Sequence, residues 1–251
     1  MKTRACAALL LVVWILPLAA QNPVAVVNGA SFTAKFPVAP GSVASAFGDF
    51  GNVTEGWAAA IPLPPVLNQV EVKVNGVASP LYYVSGLQIN FQVPQATIAG
   101  RANVEVLVSG AVVAAGKMDV LPACPGLFVA DFNSPNLPGA ILNQDNSPNS
   151  AAQPAKRGEA IQIFATGQGT DLSSSVPDGD LGIGVTTNAQ PEVYILVDEA
   201  SVEYSGLAPC CVGLWQINAR IPDKSYISGA IPVQVVFEGI FTNTVSIVVE
   251  Q

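Results

Sequence analysis

Val70–Pro94 reads VEVKVNGVASPLYYVSGLQINFQVP. Val70, Val72 and Val74 alternate with Glu71 and Lys73, the period-two pattern of a strand with one buried and one wet face. Asn75-Gly76 follows, a dipeptide suited to the positive φ angles of a two-residue hairpin turn. Val77 to Val84 is expected to return as a second strand interrupted at Pro80, which lacks the N–H that a central strand needs. Ser85-Gly86 turns the chain again. Leu87, Ile89, Phe91 and Val93 then share one face, and Gln88, Asn90 and Gln92 the other.

A relative of this stretch returns as PEVYILVDEASVEYSGLAPCCVGLWQINARIP, Pro191–Pro222. Gln88-Ile89-Asn90 matches Gln216-Ile217-Asn218 and Pro94 matches Pro222, each at an offset of 128. Nearer the N-terminus, APGSVASAFGDFG (39–51) parallels KRGEAIQIFATGQG (156–169), with Gly41 against Gly158 at an offset of 117. The difference, 11 residues, is an insertion in the second copy, placed in the polar stretch Thr170 to Gln190. An offset that changes once, inside a loop, marks a duplicated unit.

No stretch carries a helical apolar period over a dozen residues. Short alternating runs with Gly, Pro, Asn and Ser between them argue for antiparallel sandwiches. The reading divides the chain into residues 1–20, a first sandwich at 21–121, a linker at 122–138 that is rich in Pro, Asn and Ser, and a second sandwich at 139–251. Trp57 opens WAAAIPLPP, whose prolines favour an extended edge or connector. Trp215 stands in register with Ile217 and Ile221 and is expected in the core.

Residues 1–20 read as a secretory signal. Lys2 and Arg4 precede the apolar run Ala7–Leu16, Pro17 breaks it, and Leu18-Ala19-Ala20 offers a small residue at the cleavage edge. No later run approaches the ~18 apolar residues of a membrane span. Secretion, or display at the cell surface or in the periplasm, is therefore expected. With the two leader cations removed from the ten Lys and Arg, against eighteen Asp and Glu, the remaining chain carries a net charge of −10. Such a chain is expected to repel nucleic acid and anionic lipid.

Cys124, Cys210 and Cys211 lie beyond the leader, and three cysteines cannot all pair within one chain. Adjacent cysteines form a strained ring. Cys124 joined to Cys210 or to Cys211 is the expected bridge; it would close a loop of ~86 residues, stabilising by about 4 kcal/mol in the chain-entropy model.

The motifs VVNGASF, VNGVASPLYYVS, LQINFQVP, PGLF after Cys124, LNQD, ATGQG, PDG, GLAP, VGLWQINARIP and TNTVSIVV run in order through nearly the whole chain beyond the leader. Together they resemble the Solibacter-type C-terminal domain family of secreted bacterial modules, and each half is similar to an IPT/TIG unit. The resemblance implies an all-β fold of two tandem immunoglobulin-like, E-set style sandwiches, and an exported location. It implies no catalytic residues. Cys210-Cys211 after GLAP and Cys124 before PGLF depart from the family's usual pattern.

Histidine is absent. That removes Ser-His-Asp and Cys-His machinery and the commonest zinc ligand. G-x-S-x-G, Walker and S-x-x-K motifs are missing too, and Gly167-Gln168-Gly169 lacks the third glycine of a dinucleotide fingerprint. No cofactor is expected. Asp171, Asp178 and Asp180 share one polar loop, a candidate for Ca²⁺, although the spacing is not that of an EF-hand and Asp178-Gly179 is itself a good turn. Trp57, Tyr82 and Tyr83 are the candidate ligand-stacking aromatics, with the two tyrosines on opposite sides of one strand. The function these features support is a non-enzymatic extracellular interaction or structural module that binds a protein partner or cell-surface component. A carbohydrate-binding accessory module is the alternative, and a carboxylate-based hydrolase is the less favoured third.

Overall fold

The computed structural model describes residues 21–33 and 36–251, so the leader read at residues 1–20 lies outside the described residues. The first half has nine strands: β1 (Asn22–Asn28), β2 (Val43–Gly48), β3 (Gly56–Trp57), β4 (Val70–Val74), β5 (Val77–Ala78), β6 (Leu81–Val84), β7 (Gln88–Gln92), β8 (Gly100–Val108) and β9 (Ala111–Val120). They join in the order β3-β6-β7-β2-β1-β9-β8-β4-β5. β1 belongs to both arms of that order. Asn22 and Pro23 pair parallel with Ala114 and Ala115 of β9, while Val24 to Asn28 pair antiparallel with β2. Pro23, which has no N–H to donate, sits where the strand changes partner.

The two arms face one core. Ala44, Ala46, Leu81, Val84, Ile89 and Phe91 come from one arm; Val70, Val72, Val74, Val104, Val106 and Ala114 come from the other, and all lie in one buried cluster. The alternation along β4 follows from this: its three valines point inward while Glu71 and Lys73 stay half-exposed and pair with each other at 3.4 Å. Leu87 departs from the expected face. It is 69% exposed, because it completes the turn that Ser85 closes with its backbone and hydroxyl bonds to Gln88, before the inward run of Ile89, Phe91 and Val93 begins.

The run Val77–Val84 is not one strand. It breaks at Ser79-Pro80 into β5, which pairs with β4 in one arm, and β6, which pairs with β7 in the other. Ser79 N–H still bonds Val72 O at 2.8 Å and Leu81 N–H bonds Pro64 O at 2.8 Å, so the chain changes arm across the residue that cannot donate.

The second half has β10 (Gly126–Leu127), β11 (Ile141–Leu142), β12 (Ala160–Thr166), β13 (Glu192–Ile195), β14 (Asp198–Leu207), β15 (Trp215–Arg220), β16 (Gly229–Phe237), β17 (Ile240–Phe241) and β18 (Val245–Val249). Their order is β10-β12-β15-β14-β13-β16-β17, with β11 on β12 and β18 on β16. Here no proline interrupts the run equivalent to β5 and β6. β14 passes unbroken from its pairing with β13 to its pairing with β15, with a register shift between Val202 and Tyr204. Residues 122–138, expected as a linker, are packed instead: β10 pairs with β12, and Ala123 and Leu127 join the second core cluster. Their Pro/Asn/Ser composition reflects the turns between these short contacts. Among the described residues the protein is all-β, without a helix, in two sheets, and no helix is long and apolar enough to cross a membrane.

The sequence repeat is repeated in hydrogen bonds. Gly41 N–H bonds Val93 O and Gly158 N–H bonds Ile221 O, both at 2.9 Å. Gln88 Nε2 donates to Asn90 Oδ1 at 2.9 Å, and Gln216 Nε2 to Asn218 Oδ1 at 2.8 Å.

At the β4–β5 turn, Asn75 has φ +49 and Gly76 φ +82, with nothing within 4 Å of the position a Gly76 Cβ would take. An added Cβ there meets no other atom, so its cost is backbone strain. Gly76→Val is expected to destabilise by about 1–2 kcal/mol, lowering the thermal midpoint by ~2–8 °C for a chain of this size. A melting curve unchanged from the parent protein contradicts this.

Candidate functional site

β3 lies at the outer edge of its arm, where Trp57 pairs with Tyr83 of β6. Prolines 62, 64 and 65 keep it short: after Ala58 N–H bonds Tyr82 O at 2.8 Å, the chain leaves the sheet edge. Asn68 holds the approach by donating from Nδ2 to Thr54 O at 2.9 Å. The Trp57 side chain is thus presented rather than packed, at 66% exposure. Its ring lies 4.5 Å from that of Tyr83, with the planes at 44°. The tilt means the two rings do not form a single flat platform. Half-buried Tyr83 braces Trp57, whose free face is open to stack on an apolar ring face or a partner side chain.

Tyr82 is placed differently. Its hydroxyl donates to the Val212 carbonyl of the second half. Burial, followed by the neighbouring thiols of Cys211 and Cys210, pushes the phenol well above its ordinary pKa. A candidate ligand contact is therefore a cross-half anchor. It belongs to a polar junction that sequence reading did not find. Thr166 Oγ1 accepts from Val43 N–H at 2.9 Å and donates to Gly213 O at 2.8 Å. Gln92 Oε1 accepts from Gly179 N–H at 2.7 Å, Gln95 N–H bonds Asp178 Oδ1 at 2.9 Å, and Leu63 N–H bonds Gly179 O at 2.8 Å. Gln95 Nε2 also reaches Val176 O. Gly41, Gln92, Gln95, Val176 and Gly213 line a narrow gap with room for little more than a single water, about 10 Å³. Most of the second half's contribution comes from Thr170–Gln190, the stretch where the repeat offset changes. Val176 and Val185 in it form a small cluster with Leu207.

The calcium candidate is not assembled. Asp178 is directed at Gln95 by its turn, Asp171 Oδ1 accepts from Asn188 Nδ2 at 2.6 Å, and Asp180 closes a turn on Pro177. Among the described residues, no three His, Cys, Asp or Glu side chains are grouped to hold a metal ion. An open cleft of about 380 Å³ is lined by Asp145, Lys156, Glu159 and Glu250. The hydroxyl and backbone N–H of Ser147 hold Asp145 below its ordinary pKa, the opposite of what a general acid requires. A second cleft, about 360 Å³, runs along Leu121, Pro122, Phe237 and Ile240 with Asp171 and Glu238 at its side.

The three cysteines are free, and the expected bridge from Cys124 is not formed. Cys124 is wholly buried where its own backbone is tied on both sides: its N–H bonds Gly167 O at 2.7 Å and its carbonyl accepts from Asn28 Nδ2 at 3.1 Å. Burial pushes its thiol up to about 11. Cys210 is exposed and Cys211 half-buried, with their sulfurs 2.8 Å apart. Trp215 is in the core as expected, with its Nε1 donating to Ser205 Oγ at 2.9 Å.

No family model and no curated protein matches the chain. Among solved structures it is similar to the Bacteroides ovatus mixed-linkage glucan utilization locus protein SGBP-B in complex with a mixed-linkage heptasaccharide, at 14% identity and TM-score 0.34, covering 88% of this chain and 45% of that one. It is also similar to domains 5-6 of the S-layer protein SbsC, at 11% identity and TM-score 0.27, covering 91% and 96% of the two chains. A third is a titin Ig tandem, at 9% identity and TM-score 0.23, covering 84% and 89%. The chain spans less than half the length of the first of these.

Proposed function

We propose that the chain is a tandem of two immunoglobulin-like sandwiches, of the kind its Solibacter-type motifs suggest, exported to work as a non-enzymatic interaction module. The observation that supports this above others is Trp57: a large aromatic two-thirds exposed on an edge strand and braced by Tyr83. An exposed aromatic of this kind is suited to the centre of a contact. The polar junction supports a fixed relation between the halves, so that the Trp57 edge is offered on a stiff body rather than on a swinging one. The partner is a protein or another component of the cell surface. A carbohydrate is the second reading, favoured by the free Trp57 face, which fits a sugar ring by stacking.

The test is retention of the full chain on envelope proteins and on a panel of immobilised polysaccharides, with Trp57→Ala beside the parent. Binding to an envelope protein that falls at least ~tenfold in the variant supports the first reading. The same loss on a polysaccharide supports the second. Equal binding by parent and variant removes Trp57 from the site. The melting temperature of the variant should stay within a few degrees of the parent's, because little of the ring is buried.

A further inference from the structure

We propose that Cys210 and Cys211 are a redox modification site: a vicinal dithiol that closes to a cyclic disulfide at the junction of the two halves. The sulfurs are already in contact at 2.8 Å, with the Cys211 thiol donating to that of Cys210. The pair lies on the turn between β14 and β15, which is held by Ala208 N–H to Leu214 O at 2.8 Å. Cys210 is exposed, so an incoming reagent can reach it. Cys124 is buried and tied elsewhere, so each of the adjacent thiols has the other as its neighbour.

The oxidant is a small or protein disulfide, RSSR. The Cys210 thiolate attacks one sulfur of RSSR, forming the Cys210–S–S–R bond and releasing RS⁻, which takes up the proton Cys210 lost. Cys211 then gives up its proton and attacks Cys210 Sγ, forming the Cys210–Cys211 bond and expelling the second RS⁻, which takes that proton. The two cysteines lose two electrons and two protons, and RSSR becomes two RSH. Cys210, the exposed thiol of the pair, is the entering nucleophile, while burial, followed by the Cys210 thiol, pushes the Cys211 thiol above its ordinary range.

The product is held under strain. Consecutive Cα atoms are ~3.8 Å apart across a trans peptide and ~2.9 Å across a cis one, whereas disulfides usually span ~4.4–6.8 Å. A strained bridge reduces readily and belongs with labile, exchangeable disulfides rather than structural ones. Its closure also acts on the residues that follow. Of the next two carbonyls, Val212 O accepts from Tyr82 of the first half, and Gly213 O accepts from Thr166 of β12, whose hydroxyl in turn accepts from Val43 N–H of the first half. Closing the ring turns the backbone dihedrals around the Cys210-Cys211 peptide and so re-aims these acceptors, and the oxidised site holds the two halves less firmly than the dithiol.

The test uses the full chain, reduced and then incubated with glutathione disulfide. Samples are alkylated in denaturant and mapped by mass spectrometry. The peptide holding Cys210 and Cys211 should be unalkylated and lighter by two hydrogen atoms, with Cys124 singly alkylated and dithiothreitol restoring both thiols. Cys211→Ser should stop at a stable glutathione adduct on Cys210. Hydrogen exchange at Val43 and Gly179 should be at least severalfold faster in the oxidised protein. Full alkylation of both cysteines overturns the site, as does a lasting glutathione adduct in the parent chain or a bridge to Cys124. Unchanged protection of Val43 and Gly179 in the closed form overturns its coupling to the junction.

Discussion

Gly167→Ala should lower the thermal midpoint by ~6–12 °C, the equivalent of about 3 kcal/mol in a chain of this size. Two costs combine at this position. Gly167 has φ +96, where an L side chain is strained by ~1–2 kcal/mol. A Cβ there would also stand 1.9 Å from the Cys124 carbonyl oxygen. That oxygen is backbone and cannot swing aside: Cys124 is held by its own N–H bond to Gly167 O and by Asn28. Overpacking of this kind costs ~1–3 kcal/mol. Gly184 is the control. Its φ is +75, but nothing lies within 4 Å of its missing Cβ. Gly184→Ala should therefore show the backbone cost alone, a shift of ~2–8 °C. Paired melting curves decide the matter, and equal shifts for the two variants would show that the close approach to Cys124 has no energetic weight.

Trp215→Ala should cost about 3–5 kcal/mol in urea unfolding, the range for emptying a buried aromatic site. The ring is fully buried, packs edge-on against Phe237 at 4.9 Å, and donates to Ser205 Oγ. Ser205 is in turn shared with Thr187 at 2.6 Å, so the indole also keeps a buried hydroxyl pair in place. Trp215→Phe keeps most of the volume and loses the donor, and should fall between the parent and the alanine variant. Because Trp215 belongs to the second core cluster and Trp57 stands on the first half, the alanine variant retains Trp57 fluorescence as a report on the other half. A loss below ~0.5 kcal/mol, the level of ordinary surface substitutions, would mean that the second half does not depend on this ring.

Local physics was legible in the sequence, and distant pairing was not. The inward valines of β4, the Asn75-Gly76 turn and buried Trp215 all follow from period-two alternation and turn chemistry, which a residue's nearest neighbours decide. Leu87 broke the pattern because a turn residue at the head of an alternating run has no sheet face to obey. Pro80 announced an interruption, but a missing N–H does not say that the chain crosses to the other arm. Tyr82 shows the limit most plainly. Its strand and its side were readable, yet its hydrogen bond reaches a carbonyl 130 residues away. Cysteine count likewise implied a partner for Cys124 but carried no distance. The one trace of the junction in the sequence was the change of repeat offset, which located Thr170–Gln190 without saying what it touches.

That inserted segment has a consequence for folding fidelity. Two copies carrying the same Gln-Ile-Asn strand, β7 on β2 and β15 on β12, share the feature that invites mispairing of one copy's strand with the other copy's partner. Exchange between neighbouring homologous units is a common failure of tandem folds. Only the second copy carries Asp178, Gly179 and Val176, and only the first presents Leu63, Gln92 and Gln95 to receive them. An assembly in which strands have been traded between the copies would forfeit these bonds, so the insertion favours the order in which the second copy's segment meets the first copy's Leu63, Gln92 and Gln95.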